Sequence, residues 1–224
     1  MTIPRITTRR PAPTGRTCIV PVIRIRRFSH ACVRLETRLG TTVIDPGEWS
    51  EPEATVGVDA VLLTHLHSDH FDASKLAGFN APMFSPEPVP DHVATQVRDG
   101  DSVAAAGATI RVVGGEHAQV VPSVPLEPNV GYLVPGEWYH PGDSLFVPDE
   151  PIRLLFLPMQ ASWLKTSEAI DFANSVSPEI AIGIHEAQLN ERGIRAINSW
   201  FAERCRCSYS WMPPGTSMEW SLTD

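Results

Sequence analysis

Four side chains able to bind a metal fall within six consecutive positions, His65-Leu66-His67-Ser68-Asp69-His70. The apolar run Ala60-Val61-Leu62-Leu63-Thr64 leads directly into them and reads as a buried strand. In extended chain, residues i and i+2 point to the same side, so His65 and His67 can reach one metal ion. The chain must then bend, and Asp69 and His70 on that bend can face a second ion. Imidazole nitrogen and carboxylate oxygen suit zinc, manganese or iron. The competing reading is a solvated polar turn. The density of ligand types straight after a buried strand favours the metal.

Three more candidates follow apolar runs. His117 comes after Thr109-Ile110-Arg111-Val112-Val113 and Gly114-Gly115-Glu116. Asp143 follows Trp138-Tyr139 and His140-Pro141-Gly142. His185 stands next to Ile180-Ala181-Ile182-Gly183-Ile184. A lone histidine at any of these places is more often structural, but three groups at strand ends can collect on one rim of a sheet.

The elements that must position them are legible in outline. Val22-Ile23-Arg24-Ile25-Arg26 alternates, Ser29-His30 interrupts, and Ala31 to Leu35 and Thr41 to Ile44 resume. This predicts an antiparallel meander with turns at Gly40 and Pro46-Gly47. Short helices are expected over Phe71 to Leu76 and Pro90 to Val97, and strands near Met83-Phe84-Ser85, Thr109 to Val113, Val130 to Val134, Ile152 to Leu157 and Ile180 to Ile184. Helical spacing runs from Ser167, a plausible cap, to Ser175, and again from Glu191 to Ala202. Strands first and strand–helix alternation later would suit two sheets flanked by helices, or a single mixed sheet.

The chain has 224 residues, 42% hydrophobic and 20% charged, ordinary for one soluble domain with a substantial core or, at a stretch, two small ones. No apolar run is long enough to span a bilayer. A formal net charge of −8 argues against nucleic acid as partner. Arg5, Arg9, Arg10, Arg16, Arg24, Arg26 and Arg27 cluster at the start among prolines. Residues 1–21 are therefore expected to form a flexible extension and residues 22–224 the folded domain; a small anionic-partner site is the alternative. The N-terminus lacks the continuous apolar stretch of a secretory signal, so cytoplasmic residence is expected. Cys18, Cys32, Cys205 and Cys207 form no Cys-x-x-Cys pair and are expected as reduced structural thiols.

His65-x-His67-x-Asp69-His70, with His117, Asp143 and His185, resembles the ligand set of the metallo-β-lactamase superfamily. Phe28-Ser29-His30-Ala31-Cys32, Val43-Ile44-Asp45-Pro46-Gly47 and Tyr139-His140-Pro141-Gly142-Asp143-Ser144 are similar to the branch of L-ascorbate-6-phosphate lactonase-like and related metal-dependent hydrolases. The resemblance covers the chain from about Ile23 onward. It implies a four-layer αββα sandwich of two mixed β-sheets flanked by helices, with the site at one edge. It further implies that His65, His67 and His117 bind one divalent ion, that Asp69, His70 and His185 bind the other, and that Asp143 bridges them, zinc being the first expectation and manganese or iron also fitting. His30 is placed near the site by the same resemblance, a backbone-bonded loop histidine being the alternative. Asp45 is expected to orient a ligand, or else to serve the turn. His140 is expected beside the ligands or exposed, and His92 at the surface. Trp163 is read as pocket lining or as packing.

The implied enzyme is a hydrolase in which two cations lower the pKa of a shared water from about 15.7 toward about 7, and the resulting hydroxide attacks a lactone, ester or related bond of a small molecule. Asp69 can also guide a proton to the leaving group. Alternatives are a phosphodiesterase of the same fold, an iron-dependent redox enzyme, and a non-catalytic metal-binding protein. A homo-oligomer is compatible with the sequence, and a membrane partner is not expected.

Overall fold

A computed structural model describes residues 22–222. The expected flexible extension over residues 1–21 lies outside the described residues. Strand β1 (Val22–Arg27) buries Ile23, Ile25 and Arg27 and exposes Val22 and Arg24, as its alternation dictates. It pairs with β2 (Val33–Thr37), which pairs with β3 (Gly40–Ile44), forming the expected antiparallel meander. The turn at Pro46-Gly47 does not begin a hairpin. After a 3₁₀ turn over Pro52–Thr55 the chain returns as β4 (Ala60–Leu62), parallel to β3. Strands β5 (Met83–Ser85) and β6 (Thr95–Gln96) extend the parallel half.

The second sheet starts as a meander of β7 (Ser102–Ala105), β8 (Ala108–Val113), β9 (Gly131–Leu133) and β10 (Trp138–His140). It continues in parallel through β11 (Leu154–Pro158), β12 (Ile180–Ile184) and β13 (Ser208–Ser210), with α1 (Thr166–Val176) and α2 (Glu191–Arg204) in the connections. Strand β14 (Ser217–Ser221) crosses back and caps the first sheet beside β1. Two mixed seven-stranded sheets result, in the orders β14-β1-β2-β3-β4-β5-β6 and β13-β12-β11-β10-β9-β8-β7.

The sheets face each other across one core, in which Ile25, Val33 and Leu62 meet Val112, Tyr132, Phe156 and Ile182. Burying each such side chain contributes roughly 1.5–3 kcal/mol, against about 0–1 kcal/mol for an exposed ion pair, so the core and not the surface charge holds the layers together. Helices α1 and α2 bury Ala169, Phe172 and Phe201 against the outside of the second sheet. The outer face of the first sheet is covered by Ala54, Val58, Leu76 and Val89 from turns. Cys32 is a buried free thiol, and Cys205 and Cys207 are half-buried free thiols.

Three expectations of local structure are corrected. Phe71 to Leu76 forms turns, because Asp72 Oδ1 accepts from the N–H and hydroxyl of Ser74 at 2.8 and 2.6 Å, a local bond that competes with a helix. Pro90 to Val97 forms no helix: Asp91 takes a left-handed φ of 59°, and Thr95–Gln96 pairs with β5. Helix α1 is capped at Lys165, not at Ser167. The Lys165 N–H donates to Glu168 Oε2 at 3.1 Å, which leaves Ser167 inside the first turn.

Candidate metal centre

Every sequence-named ligand stands just past a strand. His65, His67, Asp69 and His70 follow β4, His117 follows β8, Asp143 follows β10 and His185 follows β12. These ends share one rim, the place where mixed α/β sheets gather ligands. Ring nitrogens of His65, His67 and His117 lie within 4.8 Å of one another, and so do ligand atoms of Asp69, His70, His185 and His30. Asp143 sits between the two groups. Its Oδ1 is 3.1 Å from Nε2 of both His70 and His185, and its Oδ2 is 3.5 Å from Nε2 of His117.

The donor set fits divalent cations. Nε2 of His65, His70, His117 and His185, and Oδ1 of Asp143, are buried and make no aligned hydrogen bond, the contacts of Asp143 with His70, His117 and His185 being ion-pair contacts of 3.1–3.5 Å. A buried polar atom without a hydrogen bond costs about 1–3 kcal/mol, so five of them converging call for a cation. The far side of each ring is tied. Nδ1 of His65 lies 3.1 Å from Thr64 Oγ1, and Nδ1 of His70 lies 2.8 Å from Asp45 Oδ2. Nδ1 of His117 donates to the Ala118 carbonyl at 2.6 Å, and Nδ1 of His185 to the Gln160 carbonyl at 2.5 Å. A proton held on Nδ1 leaves the Nε2 lone pair of His117 and His185 facing the centre, as metal ligation requires.

The charges follow from this geometry. Burial alone would raise the Asp143 carboxyl and lower the His70 imidazole. Their mutual contact, with His185 on one side and Asp45 on the other, outweighs burial, so Asp143 lies well below and His70 well above their ordinary values. His65 is pushed well below 6.5 by burial and then by the neighbouring His70. Burial opposes ionisation of Asp69 too, but the His30 hydrogen bond and the His70 charge win and hold it at about 2.

The five further residues named from the sequence fall as follows. His30 is fully buried, with Nε2 2.9 Å from Asp69 Oδ2 and Nδ1 accepting from the Ala187 N–H at 3.4 Å. Both bonds select the neutral Nε2–H form, and burial holds the ring at about 4. Asp45 supports both His70 and Thr64. His140 is buried, not exposed: Nε2 donates to the Ala31 carbonyl at 2.9 Å and Nδ1 accepts from the Gly142 N–H at 3.2 Å, pinning the loops that carry His30 and Asp143. Trp163 donates its Nε1–H to Asp143 Oδ2 at 2.9 Å and borders the cleft with His67, His117 and His185. His92 is half-buried, its ring nitrogens 2.8 and 3.0 Å from the Pro90 and Leu76 carbonyls, away from the centre.

Backbone strain concentrates here. His30, Asp45 and His185 take φ values of 65°, 49° and 64°, a region costly for side-chain-bearing residues and held only by surrounding contacts. Gly142, at φ 62°, lets the chain pass close to Thr64 and Asn129: a Cβ there would lie 2.4 Å from Asn129 Oδ1.

Sequence reasoning missed several supports. Glu127 Oε2 lies 2.5 Å from His67 Nε2. Trp49 packs edge-on against His30 with ring centroids 4.6 Å apart. Arg27 and Glu186 form a buried ion pair, and Glu186 Oε1 also accepts the His30 N–H at 3.2 Å. A buried position for Arg27 within the β1 alternation was a signal, since a charge there needs a partner.

The fold recurs in known proteins. A family model described as "Beta-lactamase superfamily domain" matches residues 24–185. Protein Rv0786c of Mycobacterium tuberculosis is 35% identical over 179 residues, covering 74% of this chain and 84% of that protein. Igni18, a metallo hydrolase from the archaeon Ignicoccus hospitalis, superposes with a TM-score of 0.70 at 16% identity, over 90% of this chain and 100% of that one. CmlA, a diiron beta-hydroxylase from Streptomyces venezuelae, superposes with a TM-score of 0.69 at 11% identity, over 93% of this chain and 55% of that one. At these identities the structural matches establish a shared fold, which hosts more than one chemistry. With the family model spanning both the His65–His70 segment and His185, the chain belongs to the β-lactamase superfamily and has the metallo-β-lactamase fold.

Proposed function

We propose that the chain is a metal-dependent hydrolase that cleaves a lactone, ester or related bond of a small molecule in the cytoplasm. His65, His67 and His117 would hold one divalent cation and Asp69, His70 and His185 the other, with Asp143 between them and zinc as the first candidate. The observation that carries the reading is the convergence on one space of four buried Nε2 atoms and Asp143 Oδ1, none of them in an aligned hydrogen bond. Divalent cations supply Lewis acidity and a water of lowered pKa at such a centre.

The rest is done by the chain's own groups. Trp163 fixes the Asp143 carboxylate through its Nε1–H, and His30 fixes Asp69. Asp69 borders the open cleft and is placed to pass a proton toward a leaving atom. The net charge of −8 supports a small-molecule substrate over a nucleic acid. Among the described residues no helix is long and apolar enough to cross a membrane.

The test is elemental analysis of purified protein coupled to a panel of lactones, nitrophenyl esters and nitrophenyl phosphodiesters, repeated on Asp143→Asn and His67→Ala. Two metal equivalents, turnover of an acyl substrate and loss of both in the variants are expected. Metal content and turnover unchanged in both variants would overturn the proposal. Iron with oxygen uptake would favour the redox reading instead.

A further inference from the structure

We propose that the cleft over His67 and His117 receives an uncharged, apolar part of the substrate, an alkyl or aryl group beside the scissile bond. This rests on the hydrolase reading and narrows its substrate class.

Large hydrophobic side chains left exposed in a folded protein need a reason when they cluster. Val120, Val124, Leu126 and Phe146 are each 42–45% exposed, and all four stand on loops that rim the centre. Val120, Val124 and Leu126 line a depression together with His67 and His117. Phe146 lines the adjoining one with His117 and Ala118, and Val120 also faces Trp163 and Asp143. One apolar wall thus runs from the loop between β8 and β9, across His117, to the loop after β10.

The wall is built and held. Gln119 Nε2 donates to the Val121 and Val124 carbonyls at 2.7 and 2.8 Å, folding the loop on itself. The backbone anchors it at both ends: the His117 N–H donates to the Glu127 carbonyl and the Ala118 N–H to the Asp143 carbonyl, each at 2.8 Å. These valines and Leu126 are therefore presented by a loop tied to two of the sequence-named ligands.

Charge decides what part of a substrate fits. Among the described residues no lysine or arginine lines these three depressions; apart from Asp69 and Asp143, which the hydrolase reading assigns to the cations, their acidic groups are Asp99, Glu116 and Glu127. A phosphorylated or carboxylated tail would meet acidic walls with no guanidinium or ammonium to receive it. A neutral hydrocarbon meets no such penalty. Full burial is worth about fourfold in affinity per methylene, and half-open walls about twofold, so four methylenes give on the order of tenfold.

Two measurements test this. On metal-loaded protein, kcat/KM for p-nitrophenyl esters from acetate to hexanoate is expected to rise on the order of tenfold, and the hexanoate-to-acetate ratio to collapse in the double variant Val124→Ser/Leu126→Ser. By calorimetry, hexanamide is expected to bind more tightly than acetamide to the wild type and no better than acetamide to the double variant. Active hydrolysis with a flat chain-length series, or faster turnover of a phosphorylated ester, overturns the inference. So does a flat series in a protein that dimerises through this wall in light scattering, which would assign it to a second copy. If no ester is hydrolysed at all, the hydrolase reading fails, while the amide pair still decides the apolar subsite.

Discussion

Oδ2 of Asp45 lies 2.8 Å from Nδ1 of His70, and neither side chain has any exposed surface. The same carboxylate accepts from the Thr64 N–H at 2.8 Å and the Thr64 hydroxyl at 2.7 Å, so one buried acid holds both the strand end and the ring that follows it. Asp45→Asn keeps the shape but removes the charge that sets the His70 proton. Metal affinity is expected to fall about 10–100-fold and stability by about 1–3 kcal/mol. Competition with a fluorescent chelator and urea denaturation measure the two effects. Unchanged affinity would detach Asp45 from the centre.

Trp163 reaches Asp143 with a single N–H, so Trp163→Phe isolates that bond while keeping an aromatic wall. Metal content should be retained and kcat/KM should drop on the order of tenfold, the worth of one hydrogen bond to a charged group. Equal kcat/KM with equal metal would leave Trp163 as packing alone.

Arg27 donates from Nε to the Gly183 carbonyl at 2.9 Å, lies 4.7 Å over the Trp211 ring and pairs with Glu186 inside the protein. Removing one partner strands a buried charge. Arg27→Met is expected to destabilise by about 3–5 kcal/mol, and Arg27→Met/Glu186→Leu to recover a large part of that. Denaturant titrations of both variants check this, and a double variant as unstable as the sum of its single changes would refute the coupling.

His140 is held below 6.5 by burial, against the opposing pull of the Asp45 charge and of its bond to the Ala31 carbonyl. As pH falls below about 6.5, the unfolded chain takes up this proton and the folded chain does not. Stability from this group is thus complete above that pH and is lost on acidification down to its folded value. His30, held at about 4, acts in the same direction. In chelator-treated protein, where the raised His70 and His117 act in the opposite direction, the Tm advantage of the wild type over His140→Gln should shrink as pH drops from 7 to 5. An identical slope in the variant would rule out this contribution.

Much of this molecule was legible before any coordinates. The alternation in β1 and β2, the apolar runs of β4, β11 and β12, and the ligand types at their ends are local signals, because burial on one face or two dictates periodicity directly. The cap of α2 is equally local but was not read from the sequence: the Asn190 side chain accepts from the N–H groups of Arg192 and Gly193 at 3.0 and 3.1 Å. The misjudged helices failed for equally local reasons, an Asp72 side chain that satisfied Ser74 and an Asp91 in left-handed conformation. Strands β6, β13 and β14 carry weak patterns and exist through pairing with strands beyond an intervening loop, helix or the whole domain, whereas β7 forms a tight hairpin with β8.

The sequence by itself determined the inventory: seven potential ligands, each placed after a hydrophobic run. Only the tertiary structure decided that Asp143 sits between His70, His117 and His185, that Asp45 and not a neighbouring acid backs His70, and that Glu127 reaches His67 across 60 residues of chain. Those relationships depend on strand order and on where loops pass one another. Side-chain periodicity reports which face is buried, but carries no information about which strand end becomes the neighbour. The apolar wall at Val120, Val124, Leu126 and Phe146 is of the same kind: four ordinary loop residues come together because two separate loops meet beside His117.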